Sequence, residues 1–437
     1  MALGRFDRTD ALRRLAEDRF DVLVVGGGVT GAGVALDAAS RGLRTALVER
    51  DDFASGTSSK SSKLIHGGLR YLQQGDVRLV YEALHERQRL LRNAPHLVRV
   101  MPFLIPAFTG RDGVVPRGLW RALGSAMWLY DLTGGARIGK LHRRLDKDAA
   151  LAHMPTLPAG RVVGGYLYYD AAADDARLTL ALARTAALDH GAVVANHVGV
   201  VGLVKLADGR VAGARLRTAD GEELEVRAST VVNATGVWAD DVRALDDGGR
   251  PASIRPAKGV HITVPWALVR NDIAVVVPVP GDRRSVFVVP WGGRPGEDPR
   301  YTYIGTTDTD YDGPLDHPTC TAEDIAYVLR AINFSVDPAV TGHGPITEAD
   351  IVGTWAGLRP LVKAAVTGRT ADLSRGHRVA VSPSGVVSVT GGKLTTYRRM
   401  AADTVATAVE LLGDDGRGRR RRSRTATLRL RGAASHA

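Results

Sequence analysis

The 437-residue chain is 44% hydrophobic and 24% charged, a composition typical of a globular protein, which argues against a disordered chain. Its single cysteine, Cys320, excludes an intrachain disulfide and a cysteine-based zinc site, and it favours a reducing compartment. The formal net charge is +11, but eight arginines lie between Arg417 and Arg431, so the remainder of the chain is only mildly basic.

The length of the chain and its apolar patterning limit the architectures that it can adopt. A chain of 437 residues is too long for one small core, so we expect two packed domains. The N-terminal segment has no apolar core of signal-peptide length, and no apolar run reaches the about 18 residues that a membrane-spanning helix needs. We therefore expect a cytoplasmic protein whose contact with the inner face of the cell membrane is at most peripheral.

A strand–turn–helix–strand unit comes first along the chain. Residues 20–25, FDVLVV, are typical of a buried strand, and residues 33–42, GVALDAASRG, favour a helix of small residues. Residues 43–50, LRTALVER, predict a second buried strand.

The turn after the first strand carries a GxGxxG sequence, with Gly26, Gly28 and Gly31 in the marked places. The first glycine permits a tight turn, the second lets backbone N–H groups approach a diphosphate, and the third lets helix and strand pack closely. Glu49 ends the second strand, where a carboxylate binds ribose hydroxyls and repels a 2′-phosphate. Together these residues predict a dinucleotide site.

The segment from Gly56 to Leu72, GTSSKSSKLIHGGLRYL, follows shortly after Glu49 and combines hydroxyl, amide and basic groups. Such groups suit the diphosphate and ribityl chain of a flavin, and the sequence has no second complete nucleotide-binding unit for a nicotinamide. We therefore predict non-covalently bound FAD. Residues 233–236, NATG, follow another buried strand and predict a second approach of the chain to this cofactor.

Later segments predict a second sheet and several helices. Strand-like runs between 255 and 310 predict an antiparallel sheet. The strand–turn–helix at 385–412 has the same sequence pattern as the first domain and is expected to belong to it. The helix at 117–130 either packs one face against the core or dips it into a membrane interface. For the basic tail at 413–437 we expect a solvated, disordered segment, with attraction to anionic lipid or nucleic acid as the alternative.

Four stretches together resemble the FAD-dependent glycerol-3-phosphate dehydrogenases of the respiratory, aerobic type: residues 25–42, 61–72, 357–361 and 391–401. The resemblance keeps its order and spacing from about residue 18 to residue 412. It also implies a C-terminal helical domain, of which the sequence TATLRLRGAASHA resembles only the preceding linker.

The fold class implied by the resemblance is α/β. A glutathione-reductase-like Rossmann domain for FAD is interleaved with an antiparallel-sheet substrate domain, as in glycine oxidase and D-amino-acid oxidase. The FAD domain is expected at 18–75, 160–250 and 345–412, and the substrate domain at 76–159 and 251–344.

The activity implied by the resemblance is oxidation of sn-glycerol 3-phosphate to dihydroxyacetone phosphate. Hydride would pass from substrate C2 to FAD N5, and the electrons would go on to a quinone. The alternative is an oxidase of the same fold, which uses oxygen or acts on another hydroxy acid or an amino acid. A homodimer and peripheral contact with an anionic membrane are further expectations, whereas nucleic acid and metal ions are not expected.

The resemblance also assigns site residues, one position at a time. The expected cofactor-binding residues are Gly26, Gly28, Val29, Thr30, Gly31, Glu49, Arg50, Thr57, Ser58, Ser61, Ser62, Lys63, Leu64, His66, Gly67, Gly68, Val198, Ala234, Thr235, Gly236, Gly357, Arg359, Gly392, Lys393, Leu394 and Thr395. The expected substrate-binding residues are Arg70, Tyr71, His261, Arg359, Lys393 and Thr395. The expected catalytic residues are His66, Arg70, His261, Arg359 and Lys393.

These residue types suit the chemistry. A phosphate dianion needs fixed cations, and Arg359 lies between apolar residues, where an anionic ligand would compensate its burial. Oxidation of a hydroxyl releases a proton, for which His66 or His261 is the natural base, and the sequence does not decide between them. Lys393 stands at a predicted helix start, where lysine and helix dipole both stabilise negative charge on a reduced flavin.

Overall fold

The computed structural model describes residues 6–68, 77–109, 117–249, 253–282, 284–293, 296–362, 376–413 and 422–436. Their strands are β1 (Arg19–Val25), β2 (Thr45–Val48), β3 (Leu64–Ile65), β4 (Val98–Phe108), β5 (Arg143–Leu145), β6 (Val162–Ala173), β7 (Val193–Ala195), β8 (Val198–Lys205), β9 (Val211–Thr218), β10 (Glu223–Asn233), β11 (Ile254–Pro265), β12 (Ala274–Pro278), β13 (Ser285–Trp291), β14 (Tyr301–Gly305), β15 (Thr309–Asp310), β16 (Gly353–Val362), β17 (His377–Val381) and β18 (Val387–Gly391). Their α-helices are α1 (Arg8–Glu17), α2 (Val29–Ser40), α3 (Val77–Asn93), α4 (Arg117–Leu132), α5 (Lys147–His153), α6 (Asp175–His190), α7 (Ala239–Asp247), α8 (Ala322–Ser335), α9 (Pro338–Thr341) and α10 (Tyr397–Leu412).

The first sheet contains the predicted opening unit. Its strand order is β17-β18-β10-β1-β2-β7, with β9 and then β8 attached beyond β10. Strands β1, β2, β7, β10 and β18 run parallel to their neighbours in this order, whereas β9 and β17 are antiparallel. β1 is buried from its second residue onward, because α2 covers one face of the sheet and α1 the other.

The second sheet confirms the antiparallel strands predicted between 255 and 310 and extends beyond them. Its order is β15-β11-β14-β13-β12-β4-β6-β3, with β16 paired to β11 and β5 to β6. The pairing is antiparallel except between β12 and β4. The interior of this sheet is a separate apolar cluster that includes Ile262, Val275 and Ile304.

The chain passes between the two sheets several times, because β3, β6 and β16 join the second sheet. The predicted FAD-domain segments 160–250 and 345–412 therefore each contribute one strand, β6 and β16, to the sheet assigned to the substrate domain. Sheet membership alone does not define a domain, so the domain boundaries stay a prediction. The interleaving places the ends of both sheets beside one another.

One face of helix α4 packs against the core, as the first of the two alternatives for its sequence predicted, and the membrane alternative stays a prediction. Met127 and Tyr130 are buried in the core, whereas Trp128 is 55% exposed and Leu132 80% exposed. One face of the helix therefore packs inward, and its other face presents large apolar groups to solvent. Among the residues that the structure describes, no helix has both the length and the apolar character to cross a bilayer.

The expectation of a disordered basic tail is wrong for residues 422–436. The Thr425 hydroxyl donates to the Asp37 carboxylate on α2 (2.9 Å), and the Leu430 N–H donates to the Asn93 carbonyl at the end of α3 (2.8 Å). Leu430 is 4% exposed and belongs to the core of the first sheet. The density of arginines suggested solvation, but the small polar and leucine residues between them bind the segment to the protein.

A buried ion pair joins α3 to α10 beside this segment. The Arg398 guanidinium donates two hydrogen bonds to the Glu86 carboxylate, at 2.6 and 2.7 Å, and both side chains are buried. Arg89 also pairs with Glu86, and Arg398 donates to the Thr425 hydroxyl at 3.4 Å. The pair fixes α10, whose N-terminal end approaches the cofactor turn.

The substitution Arg398→Met should destabilise the fold by about 3 kcal/mol, because it leaves a buried carboxylate with one partner fewer. The matched control is Arg399→Met, since Arg399 is half exposed and pairs across the surface with Asp403; it should cost less than about 1 kcal/mol. The measurement is the midpoint of urea unfolding followed by circular dichroism. Equal midpoints for the two variants would show that the Arg398–Glu86 pair does not hold the helices together.

Candidate functional site

The glycine turn between β1 and α2 is packed too tightly for side chains at two of its three motif glycines. Gly26 has a φ of +106°, and a Cβ there would lie 2.8 Å from the Ala234 carbonyl oxygen. A Cβ on Gly31 would lie 1.8 Å from the Gly26 carbonyl oxygen. A Cβ on Gly28 would meet only Ser58 Oγ, at 3.1 Å, so this glycine mainly leaves room for a ligand at the start of α2.

Glu49 stands directly after β2 and faces the turn. Its carboxylate accepts hydrogen bonds from the N–H groups of Gly27 (2.6 Å) and Asp51 (2.8 Å). Burial raises the pKa of Glu49, and these two N–H donors act in the opposite direction. The carboxylate is therefore an acceptor held in a desolvated position, as the recognition of ribose hydroxyls requires.

A cavity of about 350 Å³ opens where β1, β2 and β10 end. Its lining includes these predicted cofactor residues: Gly26, Gly28, Val29, Thr30, Glu49, Arg50, Thr57, Ser58, Val198, Ala234, Thr235, Gly236, Gly392, Lys393 and Leu394. The other predicted cofactor residues do not line it: Gly31, Ser61, Ser62, Lys63, Leu64, His66, Gly67, Gly68, Gly357, Arg359 and Thr395. The glycine turn, the acidic residue and the NATG contact therefore meet at one cavity.

Trp238 is a cavity residue that sequence reasoning missed. Its ring stacks with the Arg50 guanidinium at 5.2 Å, and Arg50 also pairs with Asp316 at 2.7 Å. The Trp238 indole N–H is buried and has no hydrogen-bond partner among the described residues. Trp238 ends the short 3₁₀ helix Gly236–Trp238, which begins at the last residue of NATG. Its position shortly after NATG was therefore the signal in the sequence that could have identified it.

The loop after Glu49 reaches back to both sides of the cavity. Ser58 Oγ accepts a hydrogen bond from the N–H of Val29 at 2.9 Å, at the first residue of α2. The Thr57 hydroxyl donates to the Leu358 carbonyl on β16 at 2.6 Å. Gly357 permits this approach, because a Cβ there would lie 2.6 Å from the Lys60 carbonyl oxygen. The loop thus joins the glycine turn to the second sheet.

His261 on β11 is the centre of a second cluster. Its Nε2 lies 2.9 Å from Ser62 Oγ, and its ring is stacked on Trp355 with centroids 4.6 Å apart. Burial, with the charges of Arg359 and Lys63, lowers the pKa of His261 to about 3. The imidazole is therefore neutral at pH 7, and its Nδ1 is buried without a hydrogen-bond partner in the described parts of the chain.

Arg359 on β16 has an acidic partner that the sequence did not indicate. Its guanidinium donates to Asp308 (3.1 Å), to the Thr306 hydroxyl (3.1 Å) and to the Thr307 carbonyl (3.2 Å). Asp308 is nearly buried. These groups come from the turn after β14, far away in sequence, and they fix the plane of the guanidinium.

His66 and Thr395 contact each other, and Thr395 directly follows the cavity residue Leu394. Thr395 Oγ1 accepts from the His66 N–H at 3.2 Å and lies 3.3 Å from the His66 carbonyl oxygen. The His66 ring lies 6.3 Å from the ring of Phe287. Lys393 lines the cavity just before the 3₁₀ helix Leu394–Thr396 and α10, which confirms its predicted place at a helix start.

Two predicted substrate residues, Arg70 and Tyr71, lie outside the described residues. Within the described ranges, no group of three or more His, Cys, Asp or Glu side chains is arranged to hold a metal ion.

Comparisons with known proteins agree with this arrangement. The family of FAD dependent oxidoreductases matches residues 21–398. Glycerol-3-phosphate dehydrogenase 2 of Mycobacterium tuberculosis is 45% identical over 415 residues, which are 94% of this chain. The aligned region is 66% of that relative, so the chain spans slightly less than two thirds of its length.

Solved structures show the same fold. The glycerol-3-phosphate dehydrogenase of Bacillus halodurans, complexed with FAD, superposes with a TM-score of 0.74 at 32% identity, over 97% of this chain and 70% of that one. Glycine oxidase of Geobacillus kaustophilus superposes with a TM-score of 0.62 at 22% identity, over 94% and 99% of the two chains, and this likeness concerns the fold alone. The predicted fold class is confirmed, and the chain belongs to the FAD dependent oxidoreductases and, within them, to the glycerol-3-phosphate dehydrogenase family.

Proposed function

We propose that this chain oxidises sn-glycerol 3-phosphate to dihydroxyacetone phosphate with non-covalently bound FAD. The observation that carries the proposal is that β16 contributes residues both to the cavity and to a cluster of cationic and histidine side chains. Pro360 lines the cavity, whereas its neighbour Arg359 is close enough to His261 to lower the pKa of that imidazole. The similarity to glycerol-3-phosphate dehydrogenases along most of the chain supports the substrate.

FAD fits the residues around the cavity. Glu49 would accept hydrogen bonds from ribose hydroxyls, and the N–H groups at the start of α2 would face the diphosphate. The buried Trp238 N–H, which has no partner among the described residues, would gain one from a polar ligand. Val198 and Val200 add apolar surface for a flat ring at the same end of the cavity.

The chain's own residues bind and orient the substrate in this proposal. FAD, when bound, supplies the acceptor for the hydrogen and two electrons that substrate C2 loses. Arg359 would bind the phosphate, because Asp308 and Thr306 hold its guanidinium in a fixed plane before substrate arrives. Lys393 would add positive charge beside the cavity.

The proton of the C2 hydroxyl needs a base, and the low pKa of His261 leaves His66 as the candidate. His261, with a pKa of about 3, is a poor proton acceptor at neutral pH. Its neutral ring, held by Ser62 and Trp355, suits a hydrogen bond that orients the substrate. We therefore assign proton removal to His66 and orientation to His261.

The test of the proposed function is anaerobic titration of the FAD-loaded protein with glycerol 3-phosphate. The visible flavin absorption should bleach with this substrate and not with glycerol or glycine. Arg359→Met should raise the half-saturating concentration roughly tenfold to a hundredfold, since a hydrogen bond to a charged group contributes about 1.5–3 kcal/mol. Arg255→Met, which alters an exposed ion pair with Asp310, is the control. Bleaching by glycerol, or none by glycerol 3-phosphate, would refute the function.

The two histidines should differ in their pH profiles. His66→Asn should lower the rate of flavin reduction at saturating substrate about a hundredfold or more, and the fall in rate below neutral pH should disappear with the base. His261→Asn should lower the rate less and keep that fall. Stopped-flow absorbance between pH 5.5 and about 8.5 measures both. If the pH dependence of the rate is lost only in His261→Asn, proton removal belongs to His261 and not to His66.

We further propose that the electrons pass to a membrane quinone, and that the exposed face of α4 makes a peripheral membrane contact. Trp128, Leu129 and Leu132 lie exposed on this face. Large apolar side chains of this kind sit favourably at a bilayer interface. Fast reoxidation of the reduced protein by air would favour oxygen as acceptor instead of a quinone.

Replacing Trp128 and Leu132 together by serine should reduce cosedimentation with phosphatidylglycerol vesicles at least tenfold, because each buried side chain contributes about 1.5–3 kcal/mol. Val352→Ser is the control, since Val352 is 57% exposed in the segment just before β16. A homodimer through this face is the competing outcome. Unchanged vesicle binding, with a changed elution volume in gel filtration, would establish the dimer and contradict the membrane contact.

A further inference from the structure

We propose that Asp175 is a positioning residue for the reaction centre, acting through the turn at residues 59–63. This inference rests on the proposed function, because the reaction centre is defined by it. Asp175 is the first residue of α6, and its side chain is fully buried. Nothing in the sequence marked it, since Asp174 before it is the ordinary helix cap.

The Asp175 carboxylate binds the turn through both oxygens. Oδ2 accepts from the N–H (3.1 Å) and the hydroxyl (2.6 Å) of Ser61. Oδ1 accepts from the Lys63 ammonium (2.6 Å) and from the N–H of Ala176 (3.0 Å). A fully desolvated carboxylate is stable only with such partners, so the turn and the carboxylate hold each other in place.

The turn needs the hydrogen bonds and the ion pair from Asp175 because its backbone conformation is unfavourable. Lys63 has a φ of +57°, in the left-handed region, which is unfavourable for a residue that carries a side chain. The Lys63 N–H donates to Ser61 Oγ at 3.0 Å, and its ammonium also donates to the Ser59 carbonyl at 3.2 Å. The Ala173 N–H, two residues before Asp175, donates to the Lys63 carbonyl at 2.9 Å.

The residues that hold His261 lie in the turn anchored by Asp175 or contact it. Ser62, between Ser61 and Lys63, places its hydroxyl 2.9 Å from His261 Nε2. The Ser61 carbonyl accepts from the Trp355 indole N–H at 3.3 Å, and the Trp355 ring is stacked on His261. One carboxylate thus sets both the hydrogen-bond partner and the stacking partner of the imidazole.

The same turn continues into the cofactor loop. Ser58, just before it, accepts from the N–H of Val29 at the first residue of α2. A displaced turn would move Ser58 away from the glycine turn as well as Ser62 away from His261. Asp175 is therefore expected to affect both FAD retention and the rate of the reaction without touching either ligand.

The test is Asp175→Asn in the FAD-loaded protein. The amide keeps the size of the side chain but removes the charge that balances Lys63. The rate of flavin reduction at saturating glycerol 3-phosphate, compared at equal FAD occupancy, should fall at least tenfold, while the half-saturating concentration changes less than threefold. FAD should also dissociate at least threefold faster, measured by flavin fluorescence after dilution.

Asp174→Asn is the matched control, because Asp174 caps α6 through the N–H of Arg177. It should leave both rates unchanged. Ser61→Ala removes one donor to the same carboxylate, so it should change both rates in the same direction as Asp175→Asn but less, even where Asp175→Asn folds poorly.

The outcomes separate this inference from the proposed function. A wild-type reduction rate in Asp175→Asn at equal occupancy overturns the positioning role, even if FAD leaves faster. If the wild-type protein is not reduced by glycerol 3-phosphate, the proposed function fails on its own. The FAD dissociation rates of Asp175→Asn and Ser61→Ala then decide whether Asp175 holds the turn, and unchanged rates overturn it.

Discussion

The close contact between the glycine turn and the end of β10 is the constraint on which the rest of the site depends. Gly31 lies against the Gly26 carbonyl, and Gly26 against Ala234, with no space for a Cβ at either glycine. This contact sets the distance of α2 from the sheet and points its N-terminal N–H groups into the cavity. The acceptor on Glu49 and the hydroxyl on Ser58 are then placed relative to that turn.

The cofactor cavity and the histidine cluster are joined by backbone segments that serve both. On β16, Pro360 lines the cavity while Arg359 and Trp355 belong to the cluster around His261. After β18, Lys393 lines the cavity and Thr395 hydrogen-bonds the backbone of His66. Residues adjacent in sequence therefore hold the cavity and the histidine cluster in register, as the proposed reaction would require.

Local signals predicted the parts of the site that are local in the fold. The glycine turn and Glu49 lie within one strand–turn–helix–strand unit, so periodicity and spacing were sufficient to place them. Trp238, Asp308 and Asp175 were missed, because each acquires its role from a partner far away in sequence: Arg50, Arg359 and the turn at 59–63. An isolated aspartate or tryptophan carries no signal for such a contact.

The basic tail was misjudged for a related reason. Composition reports the average solvation of a segment, whereas docking depends on single residues, here Thr425 and Leu430. The strands between 255 and 310 were predicted, but the addition of β6 and β16 to their sheet was not, because strand pairing is a long-range property.

The hydrogen bond between Thr425 and Asp37 has a consequence for the order in which the protein forms. The two residues are 388 positions apart, and Asp37 lies on the helix that follows the glycine turn. That helix is synthesised early, yet its buried carboxylate obtains this partner only after residue 425 has left the ribosome. The central strand β10 likewise waits for β18. The helix after the glycine turn and the strand β10 therefore acquire these contacts only after the later segments have been synthesised.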